Sequence, residues 1–333
     1  MSESLDNTLY IITGTSGFLG LEIARLLCEE GCLVHGLVRG RNTSTPYPSQ
    51  MVQINADILD RESLENLYVN SENKKTVVIH SAGYISVKRK NKLCEKVNIE
   101  GCKNILDICK KYNSRLIYIS SVDALTNCDD IICEPSSFEL NDKVNSYAKS
   151  KAIASQMVLD SLKEGLEGSI LIPSAIAGPN DYKKGFIDSM LSLYLSGISW
   201  FSIKGGYDFV DVRDVALASV NSAKGMGDKH LYILSNQYAS VRDIYNILAD
   251  YVGIKRPFLH FPLWTLYIFI PFMELRGLFT KKESPLSTCA IKLLGFIPNY
   301  SNQQAKKDLN FKPRPLKETF EDAADFMLER KKN

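Results

Sequence analysis

The sequence predicts an α/β fold: a Rossmann-type doubly wound parallel sheet with a smaller, interleaved C-terminal lobe. Three observations carry this. Short β-branched runs alternate with helical stretches through the first half of the chain, the pattern of right-handed βαβ units. A glycine-rich turn follows the first run and opens the first helix. Beyond Pro179 the pattern loosens and then two further strand-like runs occur, so the chain leaves the sheet and comes back.

Taken in order, residues 10–12 form the first strand, and 18–28 carry apolar side chains at helical spacing. Residues 33–38 and 52–55 read as the second and third strands, separated by the polar stretch 39–50, whose two prolines make it a loop. A helix at 61–69, a strand at 77–80, a helix at 94–110, a strand at 116–120, a helix at 146–162 and a strand at 170–173 complete the series. Residues 209–212 and 231–234 are the returning strands, with a helix from Asp214 between them. Helices follow at 241–253, N-capped by Ser240, and at 302–310 and 316–329. The expected division is a Rossmann domain of residues 1–180, rejoined by 208–236, and a substrate lobe of 181–207 and 237–333.

A chain of 333 residues can bury a sizeable core. Its formal charge of +2, without charge blocks, does not imply a nucleic-acid partner. No basic stretch precedes an apolar one at the start, and the eight cysteines lack C-x-x-C or metal-ligand spacing with the four histidines. Reduced thiols, no metal and a cytoplasmic setting are therefore expected. Residues 261–273 are almost wholly apolar but too short to span a bilayer. They read as a buried helix, an apolar pocket wall or a membrane-surface contact.

The turn Thr13-Gly14-Thr15-Ser16-Gly17-Phe18-Leu19-Gly20 has the position of a phosphate-binding loop. Gly14 suits the tight turn, Gly17 admits a pyrophosphate to the backbone, and Gly20 lets helix and strand approach. The helix N-terminus adds N–H donors and a favourable dipole. The second strand ends in Arg39-Gly40-Arg41 rather than an acid, which suits a ribose 2′-phosphate unless both are solvated loop charges. NADP(H) is thus favoured over NAD(H). Asp57 and Ile58 offer a carboxylate and an apolar group to an adenine, and Ser81, Ala82 and Gly83 are small enough to admit a ribose.

Tyr147 and Lys151 lie four residues apart and share one helix face. A neighbouring ammonium and an oxidised nicotinamide would favour the phenolate. Upstream, Ser120 and Ser121 end a strand where ligands of such sheets bind, and Ser121 can hydrogen-bond a carbonyl oxygen that Tyr147 protonates.

With Val97-Asn98 and the stretch Pro173 to Pro179 added, these motifs occur in the order of extended short-chain dehydrogenases/reductases, the NAD-dependent epimerase/dehydratase superfamily, and the chain resembles them over nearly its whole length. Including its tail from Ala305 to Leu316, it looks most like dihydroflavonol-4-reductase-like and 3β-hydroxysteroid-dehydrogenase-like members. The resemblance implies Ser121, Tyr147 and Lys151 as the catalytic set, with Lys151 also on the nicotinamide ribose and Pro173 against the nicotinamide. It implies a cofactor held by Gly14 to Gly20, Asp57, Ile58, Ser81 to Gly83 and Asn98, transfer of the 4-pro-S hydride, and a homodimer through 94–110 and 146–162. Two departures stand out: Ile172 precedes Pro173 where the family often has arginine, and Tyr207 stands where sugar-nucleotide enzymes commonly place a diphosphate-binding arginine.

The leading expectation is an NADPH-dependent reductase of an apolar or aromatic aldehyde or ketone. A nucleotide-sugar epimerase or dehydratase with tightly bound NAD, and a non-catalytic NADP(H)-binding regulator, are the alternatives. Tyr84, Tyr182, Phe186 and Tyr207 either line the substrate pocket or fill its core.

Overall fold

The structure, a computed structural model, describes residues 7–40, 45–126, 128, 130–140, 143, 145–197, 201–268 and 288–332. Arg41 and residues 269–273 of the apolar segment lie outside them. The first six strands are β1 (Thr8–Thr13), β2 (Leu33–Val38), β3 (Val52–Asn55), β4 (Lys75–His80), β5 (Arg115–Ile119) and β6 (Gly168–Pro173). After β7 (Ala175–Ala177), β8 (Phe201–Ile203) and β9 (Gly206–Asp211) comes β10 (Leu231–Leu234). Seven of these make one parallel sheet in the order β10-β6-β5-β4-β1-β2-β3. Strand order reverses between β1 and β4, where Thr13 is in register with His80, and a cleft opens beyond such carboxyl ends.

Alternation along β1 shows why the sheet is covered on both faces. Leu9 and Ile11 point into one apolar cluster, Tyr10 and Ile12 into another. Helices α4 (Gly101–Tyr112) and α5 (Ser146–Lys163) fill the first through Ile105, Leu106, Val158 and Leu159. Helices α1 (Phe18–Glu29) and α7 (Val212–Ala223) fill the second through Ile23, Leu27, Val215 and Val220. Between them in sequence are α2 (Arg61–Glu65), α3 (Lys92–Glu95) and α6 (Phe186–Leu195). A third cluster joins Tyr194, Phe209, Leu248, Ile291 and Phe320 from α6, β9, α8 (Val241–Val252), α9 (Thr288–Leu294) and, beyond α10 (Gln303–Asp308), α11 (Leu316–Lys332).

Of the two returning strands, only β10 enters the central sheet. The one expected at 209–212 is found as β9, which pairs with β7 and, antiparallel, with β11 (Gln237–Ser240). Its Phe209 packs edge-on against Phe320, ring centroids 5.4 Å apart, and so faces the lobe's core. The expected helix at 94–110 is interrupted: α3 runs into a π-helical turn, Lys96–Glu100, before α4 begins. In the apolar segment, Leu266 is buried while Trp264, Tyr267 and Ile268 are exposed. Among the described residues no helix is long and apolar enough to cross a membrane.

Candidate active site

The glycine turn is held by contacts that leave no room for side chains. Gly14 has φ +79°, and a Cβ there would fall 2.7 Å from the Ala82 nitrogen. A Cβ on Gly20 would fall only 2.4 Å from the Gly14 carbonyl oxygen. Gly17 N–H donates to that same oxygen at 2.8 Å. Around the turn, Thr15 Oγ1 donates to Leu37 O at 2.7 Å, Ser81 Oγ donates to Thr13 O at 2.7 Å, and Ala82 N donates to Thr13 Oγ1 at 3.2 Å. His80 Nδ1 pairs with Thr13 Oγ1 at 2.7 Å, and burial lowers the His80 pKa to about 3, so the ring is neutral. Helix α1 starts at Phe18, with Gly17 as its N-cap; no side chain caps it and its first turn has no acid. Its free N–H groups and dipole therefore fit an anion, and a nucleotide pyrophosphate suits the cradle. Ser16, Gly17 and Phe18 are half-buried at its lip, while Leu19 packs into the core.

At the end of β2, Arg39 is exposed and shares a cleft of about 270 Å³ with Asn55, Asp57 and Asp60. The Asp60 carboxylate is committed to capping α2, accepting from the N–H groups of Glu62 and Ser63. Asp57 Oδ1 accepts from Leu59 N at 2.9 Å. Ile58 is 5% exposed and packs on Gly101, which leaves little of its side chain for a purine face.

The second half of the site is built on α5. Asn145 caps it, its side chain accepting from Ala148 N at 2.8 Å, which puts Tyr147 in the first turn and Lys151 one turn on. Lys151 is buried; its Nζ donates to Ile119 O at 2.7 Å and lies 5.1 Å from the Tyr118 ring centroid. Desolvation lowers its pKa to about 8. The two serines after Ile119 part company. Ser120 Oγ bonds Ser155 Oγ at 2.6 Å and is tied to α5, whereas Ser121 stands beside the Tyr147 phenol.

Burial, with the Asp123 carboxylate second, pushes the Tyr147 pKa well above its ordinary value, and the Ser121 hydroxyl opposes this. The phenol is therefore neutral at ordinary pH. The Lys151 ammonium is aimed at the Ile119 carbonyl.

Asn98 sits in the π-helical turn and is fully engaged. Its Oδ1 accepts from Tyr84 N at 2.8 Å, and its Nδ2 donates to Tyr84 O at 3.1 Å and to Ser150 Oγ at 2.8 Å. It therefore clamps the loop after β4 to α5; a Cβ on Gly83 would lie 3.4 Å from Asn98 Oδ1 and 3.6 Å from Lys151 Nζ. Pro173 is buried at the end of β6. Residues that sequence reasoning passed over include Asp123, whose N–H donates to Ser121 Oγ, and Ser150, which accepts from Asn98. Asp123 lies two residues beyond Ser121 and was legible as a local acid.

A profile described as the NAD dependent epimerase/dehydratase family matches residues 10–232. Among curated proteins, the chain is 22% identical to the sterol demethylase protein B of Methylococcus capsulatus, over 96% of this chain and 98% of that one. It is 28% identical to the decarboxylating sterol-4-alpha-carboxylate 3-dehydrogenase of Schizosaccharomyces pombe, over 61% of each. Among solved structures, that of gox2253 superposes with a TM-score of 0.81 at 25% identity, covering 97% of this chain and 98% of that one.

Proposed function

This chain belongs to the NAD dependent epimerase/dehydratase family and is an NAD(P)-dependent oxidoreductase, and on that premise we propose that it is an NADPH-dependent reductase of an apolar or aromatic aldehyde or ketone. The observation that carries this reading is the placement of Tyr147 in the first turn of α5, one helical turn from the buried Lys151, beyond the same strand ends as Ser121 and the glycine turn. A phenol in that place can give the proton that a carbonyl reduction requires.

Bound NADPH supplies the hydride. Ser121 and Tyr147 orient the carbonyl oxygen, and Tyr147 passes its proton to that oxygen as negative charge develops there. Lys151, already stripped of water, holds the nicotinamide ribose and stabilises the phenolate that Tyr147 leaves behind. Gly14 to Gly20 take the pyrophosphate, Asp57 the adenine, and Arg39 the 2′-phosphate. The exposed Phe258 and Trp264 give the lobe the apolar character that suits such a substrate. The assembly we propose is a homodimer through α4 and α5, checked by sedimentation.

Titrating the nucleotide-free protein with NADPH and with NADH, followed by a screen of apolar aldehydes and ketones, tests the reading. Tighter NADPH binding and NADPH-dependent turnover are expected. Preference for NADH, or interconversion of a UDP- or GDP-sugar without net cofactor use, would move the assignment to an epimerase or dehydratase. Against that alternative, Tyr207 offers no charge to a diphosphate, and the nearby Arg213 and Arg314 are committed to Asp211, Asp214 and Asp322. The intact Ser121, Tyr147 and Lys151 set argues against a non-catalytic regulator.

A further inference from the structure

The loop that leaves β4 runs from Gly83 to α3 and is fixed against the start of α5. Ser146, the residue before Tyr147, donates its N–H to Lys88 O at 3.3 Å, while its Oγ accepts from Asn91 N at 2.7 Å and donates to Glu95 Oε1 at 2.9 Å. Asn91 in turn caps α3, and its Nδ2 donates to the buried Ser86 Oγ at 3.1 Å. At the loop's other end a Cβ on Gly83 would lie 3.6 Å from Lys151 Nζ. The loop is thus a rim of the cleft that holds Tyr147 and Lys151. Lys88, Arg89, Lys90, Lys92 and Lys96 are all exposed on it. Within residues 85–96 the only acid is Glu95, which is engaged with Ser146, so the local surplus of positive charge exceeds the +2 of the whole chain. Among the described residues no ion pair holds Arg89, Lys90, Lys92 or Lys96. Amid these cations Ile85 is 72% exposed and Leu93 50%.

We propose that this loop docks the protein on a bilayer surface that contains anionic lipid, with Arg89, Lys90, Lys92 and Lys96 at the headgroups and Ile85 and Leu93 inserted beyond them. A soluble acidic ligand would pair with the cations but leave both aliphatic side chains in water, whereas a lipid surface takes the two together. Neither signal suffices alone. Two aliphatic side chains bury little area, and exposed cations act only within a screening length of about 8–10 Å at physiological salt. Combined, they are the two signals that peripheral attachment needs, and each cation near an anionic surface is worth about fivefold in affinity. The docking stands on the loop itself; its consequence rests on the reductase reading. An apolar aldehyde or ketone partitions into the bilayer, and the rim that meets the lipid is the rim of the cleft, so substrate passes from membrane to Tyr147 without crossing water.

Sedimentation with vesicles tests the docking apart from turnover. The wild type is expected to pellet with mixed phosphatidylglycerol and phosphatidylcholine vesicles, to stay in solution with phosphatidylcholine alone, and to be released as salt rises. Arg89→Gln, Lys90→Gln and Lys92→Gln combined, with NADPH binding as the check on folding, should weaken vesicle binding on the order of 10²-fold. Ile85→Ser with Leu93→Ser should weaken it too, at unchanged charge. No pelleting of the wild type, equal binding to both kinds of vesicle, or retained binding by the triple glutamine variant overturns the proposal. So does a loss in that variant with no effect of the serine pair, which assigns the loop to a soluble polyanion such as nucleic acid or an acidic protein. For turnover, the wild type should reduce an apolar ketone dissolved in phosphatidylglycerol vesicles faster than the triple glutamine variant, while both reduce a water-soluble ketone equally. Vesicle binding by a protein that reduces no carbonyl would fail the functional reading and leave the docking in place.

Discussion

Lys151 carries its charge in a place that opposes it. Its pKa falls from 10.5 to about 8, so between those values the unfolded chain binds more protons than the folded one and stability rises with pH. Below pH 8 the full penalty applies, about 3 kcal/mol at roughly 1.4 kcal/mol per pH unit. Lys151→Met is therefore expected to raise the thermal midpoint of the nucleotide-free protein at pH 7 while abolishing turnover, with the gain shrinking to nothing near pH 10.5. A midpoint that falls at pH 7 would show that the ammonium's bond to Ile119 O outweighs its desolvation. Tyr147→Phe removes the proton donor and little else: kcat should drop by about 10²–10⁴ while the NADPH dissociation constant, read by fluorescence, is unchanged. Arg39→Asp should weaken NADPH at least tenfold and leave NADH nearly as before, since a charge-assisted bond to phosphate is worth roughly 1.5–3 kcal/mol.

At the scale of elements, the turn between β1 and α1 illustrates how a cofactor cradle restricts its own sequence. Gly20→Ala would press a methyl group onto the Gly14 carbonyl at a distance that real contacts do not tolerate. Overpacking of this kind costs about 1–3 kcal/mol, and the displaced carbonyl would also spoil the anion cradle. A lowered denaturation midpoint together with weaker NADPH binding is expected; loss of stability alone would mean that the cradle does not hold the pyrophosphate. The π-helical turn at Lys96–Glu100 is the opposite case, an irregularity that hydrophobic spacing could not announce. Residues 94–110 keep a helical apolar pattern across it, and what accompanies the extra residue is the bonding of Asn98 to Tyr84 and Ser150.

Over the whole molecule, the lobe is fastened to the sheet by buried charge as well as by apolar contact. Asp211, fully buried at the end of β9, caps α7 and takes a bidentate bond from Arg213, which reaches on to Asp322 in α11. Arg314 grips Asp214 and Glu318 alongside it. Asp211→Ala removes the α7 cap and the bidentate bond while Arg213 keeps Asp322, so it should cost about 1–3 kcal/mol, visible as a lowered urea midpoint. Unchanged stability would mean that solvent already screens Arg213.

The parallel sheet and its flanking helices are legible in sequence because each element depends on short-range spacing: a short apolar run for β1, period 3.6 for α1 and α5, which also puts Tyr147 and Lys151 on one helix, and a glycine turn fixed by its place between strand and helix. The partner that β9 chooses, the commitment of Ser120 to Ser155, and the capture of Asn98 by Tyr84 and Ser150 are not local. Periodicity says which face of an element is apolar but not which other element covers it. Shifted titrations such as the lowered pKa of Lys151 and the raised one of Tyr147 depend on desolvation, which exists only once distant segments have packed together.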